Sequence, residues 1–131
     1  MNDQEFLHAF ETGHLDSFHH RDHLRIAWLY LRLYGWDTGV IKIRAGVQHF
    51  ATAHGAASKY HETITVFWAH LLQYAIALEP EIADFDQFIE RYRHLLEVDL
   101  IRRHYNPALL SSPAARQTWT EPDLLPMPVT P

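Results

Sequence analysis

Apolar residues recur at three- and four-residue steps along most of the chain, and no stretch alternates apolar and polar positions for the length of a strand. Phe6, Leu7 and Phe10 share one face of residues 3–12, with Asn2 or Asp3 as the cap and Gly13 as the stop. Leu24, Ala27, Trp28 and Leu31 give residues 20–34 a second core face, which Gly35 ends. Val40, Ile43, Val47, Phe50 and Ala51 stripe residues 38–53, with Asp37 as cap and Gly55 as close. Residues 59–78 are the longest and most apolar pattern, carried by Ile64, Phe67, Trp68, Leu71, Leu72 and Ala75.

The pattern shortens towards the C-terminus. Residues 84–96 read as a smaller helix with Phe85, Phe88, Ile89, Tyr92 and Leu96 inward, continued over 100–105 after a kink. Ser111 or Ser112 caps a last short helix through Ala115 and Trp119, with Pro113 in its first turn. Six of the seven prolines fall in the final 25 residues, so residues 121–128 are expected to be extended or turned. Leu124, Leu125 and Met127 would pack that tail down. The expected fold is all-α: a bundle of four main helices, short C-terminal helices and an extended proline-rich tail, forming a single domain over residues 1–131.

Composition narrows the partners more than the fold. The chain has 131 residues, enough for one domain with a core. It has no cysteine, which excludes disulfides, thiolate catalysis and cysteine-based metal sites. A net charge of −5 opposes non-specific nucleic-acid binding, which needs a basic footprint. No apolar run reaches the roughly eighteen residues of a membrane span. The first residues, Met1 to Glu5, are acidic where a signal peptide starts basic. These features predict a cytoplasmic protein whose partner is a small molecule, neither nucleic acid nor membrane.

The compositional anomaly is histidine, at eleven residues. Three of them stand within five residues in Phe18-His19-His20-Arg21-Asp22-His23, at the opening of the second helical pattern. His20 and His23 lie one turn apart on one helix face, a spacing that lets two imidazoles meet one ion. A second polar knot, Lys59-Tyr60-His61-Glu62-Thr63, opens the fourth pattern. If the two openings adjoin, His20, His23 and His61 converge on one divalent ion (iron, zinc, nickel or manganese) and leave open positions for water or substrate. Glu62 points about 100° away from His61 around a helix, which suits a base or an orienting group better than a ligand. Lys59, Tyr60 and Thr65 are the candidates for substrate contact. The zinc-protease pattern H-E-x-x-H is excluded, because position 65 is threonine. Structural roles compete with all of these: a histidine at a helix start can cap it, a carboxylate there is favoured by the dipole, and Thr65 can bond back to the His61 carbonyl.

Phe18-His19-His20-Arg21-Asp22-His23-Leu24-Arg25-Ile26-Ala27-Trp28, Lys59-Tyr60-His61-Glu62-Thr63-Ile64-Thr65 and the ending Ala115-Arg116 … Pro122-Asp123-Leu124-Leu125-Pro126 together resemble a group of small bacterial proteins with no established activity. The resemblance covers nearly the whole chain and implies a bacterial, cytoplasmic, single-domain protein. The arrangement is also similar in logic to DinB-type helical bundles, which hold a metal with three histidines; there a lone histidine precedes a close pair, and here the pair comes first. The leading expectation is a metal-dependent enzyme with a mononuclear His-rich site between helices. The alternative is a non-enzymatic small-molecule-binding or accessory protein with a metal-free polar His/Glu pocket.

Overall fold

The computed structural model describes residues 1–129, and every regular element among them is helical. The chain divides into two compact units, Met1–Tyr60 and His61–Pro131. No helix among the described residues is long and apolar enough to cross a membrane.

The first unit opens with α1, Asp3–Glu11. Asn2 caps it, accepting the Glu5 N–H at 2.9 Å while the Glu5 carboxylate accepts the Asn2 N–H at 3.0 Å. The second helix, α2, spans His20–Ala53 but is broken at Gly35, whose φ of 75° and ψ of −174° are not helical. The break falls where the hydrophobic pattern ends, and a residue without a Cβ is what the positive φ requires. Beyond it the helix resumes at once, so the expected second and third helices are two arms of α2. Gly39 lets those arms close on each other: a Cβ there would stand 3.0 Å from the Tyr30 carbonyl oxygen and 3.2 Å from the Leu31 Cα.

An aromatic cluster fills the unit. Phe10 stacks on Phe18 at 5.2 Å and on Phe50 at 5.7 Å, joining α1, the link after it and the end of α2. Arg25 reaches back to α1, donating to Asp3 at 2.9 Å and lying over the Phe6 ring at 4.3 Å. A short 3₁₀ turn, Ala57–Lys59, ends the unit.

The second unit is built on α3, Glu62–Leu78. It begins three residues later than its hydrophobic pattern suggests, because residues 57–59 form the 3₁₀ turn and His61 is the cap. Asp84 caps α4, Phe85–Arg91, and two 3₁₀ segments follow, Arg93–Leu96 and Val98–Arg103. The expected helix over 84–96 is thus an α-helix for its first half only. Pro107 starts α5, Pro107–Leu110, where its missing N–H costs nothing, and Ser112 caps α6, Pro113–Gln117. Trp68, Phe67, Leu72, Phe88, Leu95 and Tyr105 are buried here, as Trp28, Ile26 and Ile43 are in the first unit.

Residues 118–129 carry no helix. Of Leu124, Leu125 and Met127, expected to pack the tail down, the two leucines are 57% and 49% exposed and Met127 is half-buried. Hydrogen bonds hold the tail where leucines were expected to. Leu124 N–H donates to the His104 carbonyl at 2.9 Å, and the His104 Nδ1–H donates to the Leu125 carbonyl at 2.8 Å. The Tyr105 hydroxyl donates to the Thr120 carbonyl at 2.5 Å, and Asp123 accepts the Asn106 N–H at 2.9 Å.

Candidate functional site

The residues singled out in the sequence are shared between the units. His20, His23, Lys59 and Tyr60 belong to the first; His61, Glu62 and Thr65 belong to the second. Among the described residues, no group of three or more His, Asp or Glu side chains is placed to hold a metal ion.

His20 is the first residue of α2, and His23 follows one turn later. The His23 ring meets Phe18 edge-on, with centroids 5.8 Å apart at 84°. Burial, and then the neighbouring His20, push His23 down to about 4 from an ordinary 6.5. At neutral pH this imidazole is therefore uncharged, whatever its role. His19 caps the helix, its N–H donating to the Asp22 carboxylate at 3.0 Å.

His61 caps α3 with both ring nitrogens engaged. Nδ1 accepts the Ile64 N–H at 3.1 Å. Nε2 must then carry the proton, and it donates to the Leu110 carbonyl at 2.7 Å. No lone pair remains for a metal unless one of these bonds breaks and the tautomer changes. Thr65 donates to the His61 carbonyl at 2.9 Å, the back-bonding weighed in the sequence. Glu62 is the first residue of α3 and is 7% exposed, a position where the helix dipole favours a carboxylate. Lys59 is exposed at the end of the 3₁₀ turn, and Tyr60 is half-buried.

Thr63, which the sequence did not mark as a contact residue, is the pivot of this region. It is fully buried, its hydroxyl donates to the Thr118 carbonyl at 2.9 Å, and the same oxygen accepts the Thr120 N–H at 3.1 Å. The start of α3 thus clasps the chain beyond α5 and α6.

A different set of side chains faces open space. In the first unit a cleft of about 240 Å³ is lined by Glu11, Tyr30, Lys42, Gly46 and His49. The Tyr30 hydroxyl donates to the Glu11 carboxylate at 2.7 Å. Burial first, and then that hydrogen bond, hold the Tyr30 phenol well above its ordinary range, so it remains a donor. The Lys42 ammonium lies 4.7 Å from the centre of the Tyr34 ring. Gly46 forms the floor: a Cβ there would come within 2.8 Å of the Phe10 ring. Lys42, Gly46 and His49 recur at helical spacing, so their shared face was legible in the sequence. That Tyr30 and Glu11 meet that face was not, because it takes the fold-back at Gly35.

Compared with protein-family models, curated proteins and solved structures, the chain matches none.

Proposed function

We propose that this protein binds a small molecule without a metal, and that the cleft of the first unit is where it does so. The observation that carries the reading is the gathering of a carboxylate, a phenol, an ammonium group and an imidazole, from Glu11, Tyr30, Lys42 and His49, around one space of about 240 Å³. Glu11, already fixed by Tyr30, keeps acceptor capacity for a cationic or N–H group, since a carboxylate has about four lone-pair sites. Lys42 and His49 offer donors to an anionic or carbonyl group. The ligand that fits both is a small polar metabolite with a cationic and an anionic end. The Tyr30 phenol, held well above its ordinary range, stays protonated beside Glu11 and serves as a donor, which favours binding over turnover. The net charge of −5 supports a partner other than nucleic acid.

The test is a titration with free α-amino acids followed by backbone NMR. Saturable shifts at Glu11, Lys42 and His49, lost in Lys42→Met with the fold intact, are expected. Shifts that stay linear with concentration, or that persist unchanged in Lys42→Met and Glu11→Gln, refute the reading.

A metal-dependent enzyme built on the histidines that the sequence singles out is the second reading. The neutral, buried imidazole of His23 favours it, because a ligand must be unprotonated. The two hydrogen bonds of His61 weigh against it. Elemental analysis of untagged protein decides: about one metal per chain, lost in His23→Ala and in His61→Ala, would replace the first reading with this one.

A further inference from the structure

The second unit holds a pocket of another character. One wall is a single face of α3, where Leu71, Ala75 and Leu78 follow one another at helical spacing. Tyr92, just after α4, and Leu95, within the first 3₁₀ segment, also line the pocket, together with Tyr74, His94 and Pro128 of the tail. The space is about 170 Å³ and mostly apolar. Cavities of about 150 Å³ lined by aliphatic side chains accept a benzene-sized ring.

One polar group at the rim is fixed. The Tyr92 hydroxyl donates to the Glu79 carboxylate at 2.6 Å, and the Arg91 Nε–H donates to the same oxygen at 2.8 Å. With its proton committed to Glu79, the Tyr92 oxygen presents lone pairs only. A ligand that engages the Tyr92 oxygen therefore brings the donor.

We propose that this pocket binds a single-ring aromatic molecule carrying one O–H or N–H donor, a phenol or an aromatic amine, with the ring between Leu71, Ala75 and Leu95 and the donor on the Tyr92 oxygen. The site is independent of the cleft in the first unit. Because Pro128 is part of the wall, occupancy holds the tail down, and the amides of Leu124, Leu125 and Met127 exchange more slowly in the complex.

Phenol and toluene are the probes, titrated into the full chain and followed by NMR. Phenol saturates with a Kd on the order of 10 mM, the affinity expected for seven non-hydrogen atoms at ordinary ligand efficiency. Its shifts fall on Leu71, Ala75 and Leu95. Tyr92→Phe weakens phenol by roughly 2- to 10-fold, the worth of one neutral hydrogen bond, and leaves toluene within twofold. Leu78→Trp, made at a residue 47% exposed, plugs the mouth and removes both. Should that variant misfold, Ala75→Val shrinks the pocket from a different position. Three results overturn the proposal: no saturable shift at these residues, equal losses of phenol and toluene in Tyr92→Phe, or undiminished phenol binding in a folded Leu78→Trp or Ala75→Val.

Discussion

Replacing Thr63 by valine keeps the side-chain shape and removes one oxygen. That oxygen holds two backbone groups from far along the chain: it donates to the Thr118 carbonyl at 2.9 Å and accepts the Thr120 N–H at 3.1 Å. Thr63 is fully buried, so no water can enter to replace it without repacking. Thr118 is exposed, and its carbonyl can turn to solvent at a cost of about 0.5–1 kcal/mol, the net value of an ordinary hydrogen bond. Thr120 is half-buried, and a stranded N–H there costs about 1–3 kcal/mol. Helix propensity hardly changes, since both residues are β-branched. The expected loss is therefore about 1.5–4 kcal/mol, a sizeable share of the roughly 5–15 kcal/mol that holds a domain together. Urea unfolding followed by circular dichroism measures it as a lower midpoint at unchanged slope. Hydrogen exchange should quicken at Thr120 and Leu124 before it does so in the middle of α3. Thr63→Ser keeps the hydroxyl and should lose only the methyl contribution, about 1 kcal/mol. A loss under about 0.5 kcal/mol in Thr63→Val, with exchange at Thr120 unaltered, would refute the clasp as a source of stability.

His23 makes a pH prediction with a definite sign. Its pKa falls from 6.5 unfolded to about 4 folded, so between those values the unfolded chain binds the extra proton. Stability is then intact above about pH 6.5 and declines as pH falls towards 4, by at most ~3 kcal/mol; His23→Gln should flatten that slope relative to the parent protein, and a parallel slope in both would sink the assignment. Gly39→Ala gains up to about 1 kcal/mol of helix propensity but drives a Cβ against the backbone of the facing arm, at about 1–3 kcal/mol or more. A net fall in the thermal midpoint is expected, and a rise would show that the arms of α2 separate freely. His61→Ala removes the α3 cap and leaves the Leu110 carbonyl unpaired, for a loss of about 1–3 kcal/mol, while His61→Asn should recover the cap share alone in the same unfolding assay.

The local order of this protein was legible in its sequence, because helices are made of contacts three and four residues apart. A cap at Asn2 or Asp3 and at Ser111 or Ser112, an interruption at Gly35 and the burial of Trp28 and Trp68 follow from periodicity and from what glycine, serine and asparagine do at helix ends, and the structure selects Asn2 and Ser112. Even the ambiguity at Thr65 was visible, and the structure resolves it towards the His61 carbonyl.

The roles of the polar residues were decided by tertiary structure alone. A histidine at a helix start has the same spacing whether it serves as a ligand or as a cap. His61 is committed by a carbonyl 49 residues further on, at 2.7 Å. The cleft of the first unit has the same origin: Lys42 and His49 share a face by sequence, yet Tyr30 and Glu11 join them only because Gly35 turns α2 back and Gly39 admits the close approach. The tail was expected to be held by Leu124, Leu125 and Met127; the leucines are exposed, and Thr63, His104 and Tyr105 hold it through backbone groups carrying no residue identity to read. Hydrophobic periodicity records which face of an element is buried. Which distant backbone group lies opposite a given hydroxyl or imidazole depends on how the loops close, and that is a property of the folded chain.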